Sequence, residues 1–216
     1  MTLQDVIDKL SGAELSNIFD FDTESGGVTV ASRLKLLPQL NLGLVLLHKR
    51  FFLKEDSEVI NLQEGVYTYP LVSKDILRIE TVKDLQDNEY PLDIEGEPLS
   101  PVRKNLTTLK LHKDFMTESE ATVLEVEYRA GPVRLSEQHA YMEPAYVEVD
   151  LPYQFLEPLA YFIASQFLNP MGATDGLHEG NNYAAKYEQA CQKLEFQNYD
   201  LDRRDNQDNF HSAGWV

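Results

Sequence analysis

The chain has 216 residues, 43% of them hydrophobic, and sets 36 acidic side chains against 19 basic ones for a net charge of −17. That length suits one large domain or two small ones, at about 100–200 residues each. A surface of this sign repels nucleic-acid phosphates, which a binding protein neutralises with Lys and Arg, so tight nucleic-acid binding is not expected. Cys191 is the only cysteine, which excludes an intrachain disulfide and a cysteine-built zinc site.

Acidity is concentrated in the middle of the chain. Residues 57–150 hold 19 acids against 9 bases, whereas 1–56 hold 8 against 6 and 151–216 hold 9 against 4. Two explanations fit: a wall past which DNA slides without sticking, or a surface kept acidic for solubility.

Thr2 is placed to cap a short amphipathic helix over 2–10, with Asp5 in its first turn and Leu3, Val6, Ile7 and Leu10 on one face. Acids come early in this stretch and no long apolar run follows, so it does not read as a signal peptide. No stretch reaches the roughly 18 consecutive apolar residues of a membrane span. A soluble chain made in a reducing compartment is expected.

Residues 17–27 read as a loop. The helical signal over 28–53 is the strongest in the first third: Leu34, Leu37, Leu40, Leu44 and Leu47 advance by three or four residues. Leu36, Leu42 and Leu46 widen the apolar surface, so this helix wants neighbours on several sides. Pro38 must kink it or mark a first turn.

After Lys54 the period changes to two. Strands are predicted at 58–62, 66–71, 76–82, 108–112, 122–128 and 146–150, with turns at Glu64-Gly65, Asp87-Asn88 and 95–98. From Pro152 the helical period returns, with Phe155, Leu159, Phe162, Ile163 and Phe167 on one side. A break at 169–172 leads to a helix over 177–198 that carries Tyr183, Tyr187, Ala190, Cys191 and Leu194 on one face. After Tyr199 the pattern dissolves into a polar run that still contains Phe210 and Trp215.

The expected fold is α+β: a helical bundle formed by the N- and C-terminal helices, an inserted antiparallel β domain (sandwich or small barrel), and an extended C-terminal tail. The expected boundaries are 1–56 for the first bundle helices, 57–150 for the β domain, 151–198 for the helical hairpin and 199–216 for the tail.

The sequence carries few signatures of chemistry. There is no phosphate-binding glycine loop and no nucleophile elbow. His48, His112, His139, His178 and His211 show no metal-ligand spacing. Paired carboxylates are all that glycoside hydrolysis needs, but among 36 acids such pairs arise by chance. Glu125, Glu127 and Glu148 read as solvent-facing strand residues. No enzyme activity and no cofactor or metal is expected. A cell-wall-degrading or carbohydrate-binding protein is the alternative. Phe196 and Tyr199 lie where helix gives way to tail, and Arg203 and Arg204 follow. Arginine among aromatics is the composition of interface hot spots.

The run LNLGLVLLHKRFFLKEDSEVINLQEGVYTYPL, residues 40–71, resembles the head-to-tail adaptor (connector) proteins of short-tailed bacteriophages, of the tail tubular protein A type. Its pieces are Leu44–Leu53 with Arg50 and Phe51, then Glu58–Ile60, then Tyr69–Leu71. Residues 151–172, LPYQFLEPLAYFIASQFLNPMG, resemble the aromatic helix and small-residue break of such adaptors, and the segment ending Gly214-Trp215-Val216 their tail. Pro38 departs from the pattern.

The resemblance implies a virion structural protein, made in the bacterial host's cytoplasm and placed at the portal vertex. It would form a homo-oligomeric, dodecameric ring under the portal protein. That ring would be the platform for the tail tube or nozzle, with DNA passing through its lumen unbound. Leu44, Leu47, Arg50 and Phe51 would then pack subunit against subunit. Phe196, Tyr199, Arg203, Arg204, Phe210 and Trp215 would reach the portal.

Overall fold

The structure, a computed structural model, describes residues 1–12, 28–168 and 176–197, with the side chains of 176–179 left aside. The chain is α+β with antiparallel sheets and divides into two compact units. One comprises 1–52 with 132–216, and the other is the contiguous run 53–131.

In the first unit, helix α1 (Leu3–Ser11) starts as its sequence predicts. Thr2 Oγ1 accepts from Asp5 N at 3.2 Å while Asp5 Oδ2 accepts from Thr2 N at 2.7 Å, so two otherwise orphaned donors are satisfied reciprocally. Leu3, Val6, Ile7 and Leu10 are buried.

Helix α2 (Val30–Arg50) is capped by Thr29, whose hydroxyl accepts from Ser32 N. It runs through Pro38, which sits on an exposed side where its missing N–H costs one ladder bond. By length and composition α2 is apolar enough to cross a membrane, which counting consecutive apolar residues did not reveal. Leu36, Leu37, Leu40, Leu44 and Leu47 are buried within its own unit, as the leucines of a core helix are.

Tyr146–Asp150 does not form the predicted strand. A 3-10 turn at Pro144–Tyr146 leads into an isolated antiparallel bridge between Thr2 and Glu148. Leu3 N donates to Val147 O and Val149 N to Met1 O, both at 2.8 Å. Val147, Val149 and Leu151 are buried and Glu148 is exposed. That alternation is real, but it serves the helical unit. A short helix α4 (Glu137–Tyr141) precedes it, and Asn41 exchanges side-chain hydrogen bonds with the backbone of Leu135 at 2.8 and 2.9 Å.

A 3-10 turn over Tyr153–Phe155 opens helix α5 (Leu156–Leu168), and α6 (Gly176–Phe196) packs along it. Helix α5 also packs on α1 and α2. Its approach to α2 is close: a Cβ at Gly43 would lie 2.7 Å from Leu159 Cδ1 and 2.8 Å from Phe162 Cδ1. Phe51 and Phe155, both fully buried, close one end of this contact edge to face at 4.9 Å.

The second unit holds two antiparallel sheets. The first is ordered β1 (Glu55–Asn61), β7 (Val123–Ala130), β3 (Ile76–Asp84), β4 (Glu89–Tyr90). The second is ordered β2 (Thr68–Pro70), β6 (Thr108–Lys110), β5 (Val102–Asn105). A short helix α3 (Phe115–Ser119) lies between β6 and β7. Tyr69, Ile79, Val82, Leu109, Phe115 and Leu124 share one core drawn from both sheets and α3.

The β3–β4 turn is built around Asp84. Its carboxylate accepts from Gln86 N, Asn88 N, Asn88 Nδ2 and Tyr90 Oη at 2.8–3.1 Å. Asp87 takes the left-handed conformation inside that turn. The Asn88 hydrogen bonds, with those from Gln86 and Tyr90, hold the Asp84 carboxyl below its ordinary value of 3.8.

Two outcomes follow. Gly43→Ala should lower stability by about 1–3 kcal/mol through overpacking, measured by thermal melting. The same change inside an uncrowded helix raises stability by about 0.5–1 kcal/mol, so the sign of the shift in melting temperature decides whether the α2–α5 contact is as close as described. The Asp84 contribution is present above pH 3.8 and is lost as pH falls through the lower native value. Asp84→Asn should therefore flatten the acid limb of stability against pH, and an unchanged acid limb would contradict this.

Candidate interaction surface

Helix α6 turns Tyr183, Cys191 and Leu194 inward. Its aromatic positions meet α5, with Tyr187 against Phe162 at 5.7 Å and Tyr183 against Tyr161 at 6.2 Å. Lys186 Nζ lies 4.6 Å from the centre of the Tyr183 ring. The opposite side of α6 presents Gln189, Gln192, Lys193 and Phe196 around an open surface hollow. Phe196 is 95% exposed, the most exposed large apolar side chain described.

Arg50 ends α2 beside this helix. Its Nε donates to Glu195 Oε1 at 2.6 Å and its Nη1 to Glu188 Oε2 at 2.7 Å. The Glu195 hydrogen bond, reinforced by Glu188 and opposed by partial burial, raises the guanidinium pKa. Cys191 lies within reach of the same charges, yet burial dominates and pushes its thiol up to about 11. Such a thiol stays protonated at neutral pH and is no nucleophile. Burial also raises the Tyr187 phenol.

The residues expected to pack subunit against subunit have intrachain roles in the structure. Leu44, Leu47 and Phe51 are fully buried inside their own unit, and Arg50 is forked onto two glutamates of its own chain. Helical periodicity identifies a buried face without saying which chain buries it. Of the residues that widen the apolar surface of α2, Leu36 is buried and Leu42 and Leu46 are exposed. Of the residues expected to reach a portal, Phe196 is described and exposed. Tyr199, Arg203, Arg204, Phe210 and Trp215 lie outside the described residues, as do the loop at 17–27 and the break at 169–172.

Sequence reasoning missed the exposed side chains of Tyr141, Met142, Tyr146 and Tyr153.

The carboxylates weighed for hydrolysis have structural partners or open surroundings. Glu127 pairs with Lys83 across β7 and β3, and Glu148 is exposed beside the Thr2 bridge. Glu80 and Arg129 pair at 3.2 Å, nearly buried. His48 is buried with Nδ1 3.0 Å from Leu44 O. Among the described residues no three His, Cys, Asp or Glu side chains gather to hold a metal. Among the described residues, the β unit carries an open cleft of about 400 Å³, walled by Tyr67, Ile94 and Val102 with Lys110, His112 and Lys113 along it. Its lining also includes Glu95, Glu97 and Ser100, whose hydroxyl accepts from Ile94 N at 2.8 Å.

Compared with known proteins, the chain matches no family model and no curated protein sequence.

Arg50→Ala should lower the urea midpoint by an amount equivalent to about 1–2 kcal/mol, because hydrogen bonds to charged groups are strong and partial exposure discounts them. Arg50→Lys should fall between, since an ammonium cannot fork onto two carboxylates in one plane. Equal midpoints for all three proteins would show that the pair adds nothing.

Proposed function

We propose that the chain is a phage virion structural protein, a head-to-tail adaptor. It docks as a dodecameric ring under the portal protein and provides the platform for the tail tube or nozzle. DNA passes through its lumen without specific binding. In this reading α1, α2, α5 and α6 form a helical bundle, the two sheets form a sandwich, and residues 199–216 form an extended tail. The chain is made in the cytoplasm of the bacterial host and resides at the portal vertex of the virion.

One observation carries the reading: a contiguous β unit is inserted between the two parts of a helical unit, in the order of the adaptor-like phrases at 40–71 and 151–172. The exposed Phe196 at the end of α6 supports it further, because a polar segment with Phe210 and Trp215 continues from there. A polar segment with a few aromatic anchors orders itself on a partner and meets the entropy cost only then. Such an adaptor stays soluble until a portal is presented.

Electron microscopy of the full chain mixed with the portal protein of the same phage tests this. A second ring stacked on the portal is expected, and deletion of 199–216 should abolish it. No stacked ring with the full chain overturns the adaptor reading. Undiminished stacking after the deletion overturns the role of the tail.

A further inference from the structure

Helix α2 carries no acidic residue from Val30 to Arg50, although the chain holds 36 acids against 19 bases. Its leucines at 36, 37, 40, 44 and 47 are committed to the core of its own unit. Lys35, Pro38, Leu42 and Leu46 advance by three or four residues and so form one strip along the helix. All four are exposed, Leu42 by 47% and Leu46 by 36%.

The segment from Glu137 to Glu157 is the reverse. It holds the acids Glu137, Glu143, Glu148, Asp150 and Glu157 and no Lys or Arg. Tyr141, Met142, Tyr146 and Tyr153 are exposed along it, Tyr146 by 80%. The segment is held in place. Arg33 Nη1 donates to Met142 O at 2.7 Å, Asn41 holds the Leu135 backbone just before it, and Leu3 N donates to Val147 O. Exposed tyrosines on a fixed backbone give contact area at little entropy cost.

We propose that the α2 strip of one copy docks on the Glu137–Glu157 segment of a second copy. Strip on strip sets two basic, acid-free helices against each other, and segment on segment sets acid against acid. Strip on segment alone joins opposite charge and apolar surface on both sides. Within one chain the strip stays exposed, so the copy's own segment does not cover it. The contact joins two different patches and is therefore head-to-tail, the kind that closes into rings or propagates as filaments. It supplies the lateral contact of the ring proposed above and rests on that reading for closure alone.

Sedimentation velocity of the full chain tests the contact, with melting curves to show that each variant is folded. The strip variant Leu42→Glu/Leu46→Glu and the segment variant Glu143→Lys/Tyr146→Ala should each self-associate at least about tenfold more weakly than wild type. Mixed together they should form dimers and nothing larger, through the intact strip of one and the intact segment of the other. If the strip variant fails to fold, Lys35→Glu gives the same reading with a milder change.

A wild type that stays monomeric at every attainable concentration overturns the contact. So does undiminished association of the variants, which would leave the ring reading standing on another surface. A mixture that stays monomeric also overturns it. Normal self-association of the strip variant with loss of stacking on the portal ring would place the portal on the strip instead.

Discussion

At Gly43 the side chains of Leu159 and Phe162 on α5 press against the α2 backbone and take the space a Cβ would need. The packing of α2 is organised around that contact. It fixes the rotation of α2, so that Leu40, Leu44 and Leu47 point inward. Phe51 is thereby brought edge-on to Phe155, and the last turn of α2 delivers Arg50 to Glu188 and Glu195. The same rotation turns Leu42 and Leu46 to the outside. The exposed strip of α2 is thus the geometric complement of a packing decision made on its far side.

The parts of the fold that were legible in the sequence are those with a long period or a named cap. Thr2 with Asp5 marked α1, and the leucines marked α2. The paired strands β1, β3 and β7 followed from alternation. The three-residue strands β2 and β6 were legible from the alternation around them, whereas β4, of two residues, and α3 and α4, of five each, were not. Strand β5 hides for another reason. It is an edge strand with no fully buried residue, so it carries no inward set to alternate with. Residues 146–150 alternate as a strand should, and they do pair, but through a single bridge to Thr2 and as part of the other unit. Periodicity reports the burial of each face and is silent on the identity of the neighbour.

That silence explains the candidate site as well. The adaptor resemblance assigns Leu44, Leu47 and Phe51 to contacts between subunits, whereas in the structure they are buried inside their own unit. The acids show the same ambiguity. Asp84 organises a turn, Glu127 and Glu80 pair across a sheet, and Glu58 accepts from Val72 N and Ser73 N. Composition counts such carboxylates as surface charge, whereas hydrogen bonding makes them part of the framework.

The bridge between Thr2 and Glu148 has a consequence for how the protein is made. The β unit is contiguous, and its core is drawn entirely from residues 60–130. It can close as soon as Gly131 has left the ribosome. Helices α1 and α2 emerge earlier, yet α2 meets Leu135 and α4 only after the β unit is made, and both helices wait longer still for α5. At about 5–20 residues per second, the leucines of α2 wait several seconds for their partners. During that interval they are surface for a chaperone to hold, because the β unit, made after them, can be buried before them.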